Sequence, residues 1–130
     1  MKEETISRIA VIILAIVLGA FGIYHFMHPS DMLLYVPNFL PGTRETWRFG
    51  VYIVGAVIIL AAIALLMHKY VKIAGYCLAL LLFVFVLIIH IPNYNSAGDT
   101  ASKTTALIDI LQDLALAAFA MYIASNSKKI

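Results

Sequence analysis

Hydrophobic positions gather into four long blocks, at about residues 8–27, 48–67, 72–90 and 106–125, with shorter polar stretches between them. Residues 9–24 carry no charge at all. A hydrocarbon core of about 30 Å takes roughly 20 helical residues to cross, and each block is near that length. Backbone amides have no water to bond in lipid, so each block predicts an α-helix. The expected architecture is an all-α integral membrane protein, a bundle of four transmembrane helices in one domain over residues 1–130. The first block has the flavour of a signal peptide but no convincing A-x-A site, and it is read as a retained helix.

The connections differ. Only a few residues separate the second block from the third, so those helices are antiparallel neighbours. The stretch HPSDMLLYVPNFLPGTRETW carries Pro29, Pro37 and Pro41. It predicts a Pro-rich interfacial lid, with Ser30 capping a short helix that Pro37 stops. Trp47 and Tyr52 suit an aromatic belt. The stretch IPNYNSAGDTASKTT reads as a plain surface loop.

Composition agrees with the blocks: 63% of residues are hydrophobic, 12% are charged, and mean hydropathy is +0.97. Soluble domains are nearer half apolar and a quarter charged. A net charge of +2 without a basic cluster excludes nucleic acid as a partner. Direction follows from the basic residues. Lys2, Arg8, Lys69, Lys72, Lys128 and Lys129 fall on one side, against Arg44, Arg48 and Lys103 on the other, six to three. The positive-inside rule then places both termini in the cytoplasm. Cys77 is a lone thiol within an apolar block, unable to form an intrachain disulfide, and reads as a small buried hydrophobe.

With this topology the scattered polar residues collect at one end. His25 and His28 close the first helix, Arg44 and Arg48 open the second, His90 and Asn93 end the third, and Asp109, Gln112 and Asp113 lie in the first turns of the fourth. Stripes of small residues sharpen the placement. Gly75, Ala79, Val86 and His90 share a face of the third helix; Ala15, Gly19, Gly22 and His25 or Phe26 share one on the first. Asp113 continues into Ala117, Ala120 and Ala124. Small residues mark close helix contact in membranes, so His25, His90 and Asp113 are expected to point into the bundle.

Asp113 is about two turns inside its helix, roughly 10 Å deep. A carboxylate there costs on the order of 3 kcal/mol, so it needs a partner or a proton. Arg48 and His90 are the natural partners. Asp109 sits nearer the helix start, where the dipole alone favours an acid. The candidate pocket is therefore His25, Arg48, His90, Asn93, Asp109 and Asp113. His25, His28, His90 and an Asp offer zinc-type donors, but no tight motif such as H-E-x-x-H accompanies them, and no metal is assigned.

The pieces GIYHFMHP, VPNFLPG, VYIVGAV, HIPN and LQDLALA, in this order and spacing, resemble the DoxX family of small four-helix membrane proteins. The likeness spans nearly the whole chain. It implies a protein of the bacterial cytoplasmic membrane, and it matches family polar positions at His25, Pro29, Pro41, His90, Pro92, Asn93 and Asp113. The family name comes from a subunit associated with thiosulfate:quinone oxidoreductase. Many relatives carry Glu where this chain has Ile58, so chemistry that needs an acid there is not expected.

Two functions follow as expectations. One is a quinone-linked redox subunit: His90 or His25 donates a hydrogen bond to the quinone, Asp113 relays protons, and a partner redox protein brings the electrons. The other is a non-catalytic accessory protein that assembles with another membrane protein or with copies of itself, its polar residues serving structure.

Overall fold

The structure, a computed structural model, describes residues 2–128; Lys129, counted above among the basic residues, lies outside them. Six α-helices and one π-helical turn run in the order α1 (Glu3–Met27), α2 (Pro29–Leu33), α3 (Arg44–Met67), α4 (Val71–Phe85), the π turn (Val86–His90), α5 (Ile91–Ser96) and α6 (Thr100–Ser125). Since α4, the π turn and α5 are continuous, four helices among the described residues are long and apolar enough to cross a membrane: Glu3–Met27, Arg44–Met67, Val71–Ser96 and Thr100–Ser125. The chain is a four-helix multi-pass membrane protein.

Three spans begin earlier than the apolar blocks predict, because polar first turns stabilise helix starts without being hydrophobic. Glu3 and Glu4 sit in the first turn of α1, where the helix dipole favours acids. Thr43 Oγ1 accepts the Thr46 N–H at 3.2 Å and caps α3. Asp99 caps α6, accepting the Ser102 N–H at 3.1 Å and the Ser102 hydroxyl at 2.7 Å. These hydrogen bonds hold the Asp99 carboxyl below the usual carboxylate range, the hydroxyl bond first and the backbone bond second.

Two expectations about the connections need correction. The short lid helix starts at Pro29, with His28 as its cap residue, so Ser30 lies inside the helix rather than capping it. Proline suits a first helical position, since its missing N–H would have no intrahelical acceptor there. The stretch after His90 is also no loop: it is α5, and only residues 97–99 separate that helix from α6.

The bundle is built from two close pairs. Helix α1 packs on α3, and α4 packs on α6, with thinner contact between α3 and α4. A Cβ added to Gly22 would lie 2.9 Å from the Gly55 carbonyl oxygen, and one on Gly75 would lie 2.8 Å from that of Ala120. Both crossings thus bring backbones together at a glycine, as helix pairs in lipid favour. Leu14, Ala15, Leu18, Ile58, Ala62, Leu65, Leu78, Ala79, Leu82, Ala117 and Ala120 form the shared core. Ile58 is 1% exposed and packs within this core.

The turn between α3 and α4 carries His68 and Tyr70, both with positive φ (55° and 56°), a conformation uncommon outside glycine. Arg8 bridges to it from α1. Its guanidinium donates to the Leu65 carbonyl at 2.9 Å and also to that of Leu66, filling acceptors that a helix end leaves open. His68 is exposed at this end, and Cys77, expected to be buried, is exposed on α4 because it lies off the face that Gly75 and Ala79 bury.

Candidate functional site

The opposite end, which carries the lid, holds most of the polar residues. His90 lies in the π turn. Pro92, two positions later, has no N–H to give to the preceding turn, and its ring would crowd the carbonyl four residues back. The chain accommodates it by widening: the Ile91 N–H bonds back to the Val86 carbonyl, five residues earlier. Below this turn, Gly75 holds α4 tight against Ala120 and Ala124 of α6. Above it, the Lys103 ammonium sits 4.9 Å from the centre of the Tyr94 ring and ties α5 to the start of α6.

Between these two fastenings His90 meets the acids of α6. Its Nε2–H donates to Asp113 Oδ2 at 2.9 Å. Its Nδ1 faces Asp109 Oδ2 at 4.0 Å, an electrostatic contact too long for a hydrogen bond. The three side chains are mostly buried, with 13% (His90), 25% (Asp109) and 18% (Asp113) exposed. His90 Nδ1 is buried and has no hydrogen-bond partner, the one such side-chain atom among the described residues. A buried imidazole nitrogen without a partner is costly and calls for an explanation. The spacing of Asp109 and Asp113, one helical turn apart, allows a single histidine to face both.

The other candidates go elsewhere. His25, 5% exposed, lies in the α1–α3 pair; its Nδ1–H donates to the Phe21 carbonyl of its own helix at 2.8 Å. Its ring meets Phe21 edge-on, with centroids 4.7 Å apart. A Cβ on Gly55 would approach His25 Cβ to 2.8 Å, so no space remains between that side chain and α3. Arg48 does not pair with Asp113; it donates to Ser30 Oγ of the lid at 3.3 Å. Asn93 neither caps a helix nor joins the acids, but donates from Nδ2 to the Tyr35 carbonyl at 2.8 Å. His28 stacks beside Tyr24, 4.5 Å between centroids, and lies 3.8 Å from Asp31. Tyr24 also donates to Asp31, at 3.0 Å.

The predicted pocket therefore resolves into a compact acid–histidine–acid group, a separate His25 and a set of lid fastenings. His25, His28 and His90 do not converge, and no three His, Cys, Asp or Glu side chains among the described residues form a metal site. A cleft of about 290 Å³ opens between the lid and α5, lined by Leu34, Val36, Pro37, Phe39, Pro92 and Asn93. Pro92 in its lining is two positions from His90. Two features were missed in the sequence. Pro92 was the available signal for the π turn, whereas nothing local marks Arg8 as the partner of carbonyls 57 and 58 residues on.

Fold and geometry together define a small multi-pass membrane protein with a buried histidine–carboxylate group at the lid end. The chain belongs to the family described as a domain of unknown function (DUF8561), whose model matches residues 14–124. Comparison with curated proteins and with solved structures gives no match.

Proposed function

We propose that this chain is a DoxX-like, quinone-linked redox subunit of the bacterial cytoplasmic membrane, with its lid end outward and its termini in the cytoplasm. The observation that carries the reading is the unpartnered, buried Nδ1 of His90, 4.0 Å from Asp109 Oδ2. A protonated His90 offers two N–H donors: Nε2–H is held by Asp113, and Nδ1–H is left for the carbonyl oxygen of a head group. A bound quinone supplies a two-electron, two-proton couple. Of the two protons that reduction requires, His90 would give one from Nδ1 to that oxygen and a protonated Asp109, 4.0 Å from the same nitrogen, would replace it; the other would reach the second oxygen from solvent. Asp113 orients the ring and balances its charge. The chain carries no haem, flavin or nicotinamide motif, so a partner redox protein delivers the electrons. The isoprenoid side of such a ligand would lie along Leu34, Val36 and Phe39 in the lid cleft, whose lining also includes the polar Asn38, Asn93 and Ser96.

The test is mass spectrometry of protein purified gently from its host, beside His90→Ala and Asp113→Asn. Quinone present in the wild type and lost in both variants supports the reading. Wild-type protein that neither retains quinone nor binds an analogue overturns it.

A second reading, the non-catalytic accessory protein, is favoured by one observation. Only 17% of the apolar window of α6 is buried inside the chain, against 22–33% for the other three spans. The accessory reading predicts a stoichiometric partner chain whose association survives substitution of His90 and Asp113.

A further inference from the structure

Gln112 is exposed on α6, next to buried-side Asp113 yet turned away from it. It lies within the apolar stretch of α6, about 9 Å along the axis from Ala106, where the hydrophobic block begins. Among the described residues its side chain has no hydrogen-bond partner. Lipid chains offer an amide no partner, so within the apolar span the Gln112 oxygen lacks a donor and its two N–H groups lack acceptors. Its neighbours along the helix are not random. Thr105, Ile108, Gln112, Ala115, Phe119 and Tyr122 follow one another at spacings of three, four, three, four and three, a heptad seam. All are exposed except the half-buried Phe119, and this seam lies apart from the Asp113, Ala117, Ala120 and Ala124 face that packs on α4.

We infer that this seam is a self-association surface, and that its occupant is α6 of a second copy of the same chain. Copies inserted in one direction meet in parallel, so a two-fold axis along the membrane normal sets each seam residue opposite its own equivalent. Gln112 then faces Gln112. An amide is both donor and acceptor, and two of them across a two-fold satisfy each other reciprocally; a single amide within such a seam also fixes register and oligomer state. Ala115, one turn away, lets the backbones approach, and the 3–4 spacing suits the left-handed crossing common between membrane helices. The low burial of α6 within the chain, 17%, leaves this face free for such a contact. The inference does not depend on the occupant of the His90 site.

The test uses the full chain in bilayers, with Cys77→Ser removing the native thiol. Single cysteines are placed on the seam (Ile108→Cys, Ala115→Cys, Tyr122→Cys) and off it (Leu107→Cys, Leu114→Cys, Met121→Cys), then oxidised. Cross-linked dimer is expected at the first three positions and not at the others. In parallel, Gln112→Leu weakens self-association roughly tenfold, while Gln112→Asn keeps most of it. A chain that stays monomeric at high protein-to-lipid ratio overturns the proposal. So do cross-links of equal yield around the helix, Gln112→Leu self-associating as wild type, and a seam that cross-links only to a different protein.

Discussion

The two helix pairs of this bundle use the same joint and treat their histidines differently. In the α1–α3 pair, Gly22 and Gly55 bring the backbones together, and His25 beside them spends its Nδ1–H on a carbonyl of its own helix. In the α4–α6 pair, Gly75 meets Ala120, and His90 is held by Asp113 while its second nitrogen is buried without a partner. His25 has its Nδ1 satisfied within its own helix. His90 leaves its Nδ1 open and has an acid on either side. A small-residue stripe therefore says where helices meet, and the polar residue at its end decides whether the meeting place is only structural.

The largest effect should come from separating His90 from Asp113. His90→Leu leaves a carboxylate without its partner inside the bundle and is expected to cost about 3 kcal/mol in reversible detergent unfolding. The double variant His90→Leu/Asp113→Leu should recover most of that loss, since an ion pair replaced as a unit is often close to neutral. A double variant no more stable than the single one would mean that the pair is not what the single change breaks. Next in size are the joints. Gly75→Ala drives a methyl against the Ala120 backbone and should cost about 1–3 kcal/mol, and Gly55→Ala, facing His25 Cβ and the Gly22 carbonyl, a similar amount. Equal costs sharpen the comparison, because they show one joint used twice.

His25→Ala should be milder, about 1–2 kcal/mol for one lost hydrogen bond and some packing, and it should leave ligand binding untouched. The smallest effect is expected at Asp99. Its carboxyl is held below the usual range in the folded chain, so its contribution is complete above the unfolded pKa and is lost as pH falls through the lower, folded value. Amide exchange at the first turn of α6 should speed up over that acidic interval, and in Asp99→Asn the pH dependence should vanish.

Much of this was legible in the sequence, for physical reasons that differ by feature. Lipid demands satisfied backbone, so four apolar blocks predicted four spans. Small residues permit close approach, so the stripes through Gly22, Gly75 and Ala117 marked the faces that became buried. The acid of Asp113 demanded a partner, and His90 was one of two proposed. The choice between His90 and Arg48 was not legible, because it depends on the lid: Arg48 is taken by Ser30, on a segment whose fold rests on long-range contacts such as Asn93 with Tyr35. The six proposed pocket residues do not form one group for the same reason. Polar residues at one end of a bundle can serve different helix pairs, and periodicity along each helix carries no information about pairing between them.

The most direct test of the central claim, that the His90 nitrogen is open to a ligand while His25 is not, uses the single tryptophan. Trp47 is at the lid end, its indole N–H bonded to the Pro41 carbonyl at 3.0 Å, and quinones quench indole fluorescence. Titrating a short-chain quinone analogue into the protein in nanodiscs should give saturable quenching in the wild type and in His25→Ala, and only the linear collisional component in His90→Ala. Identical curves for all three proteins would contradict the account.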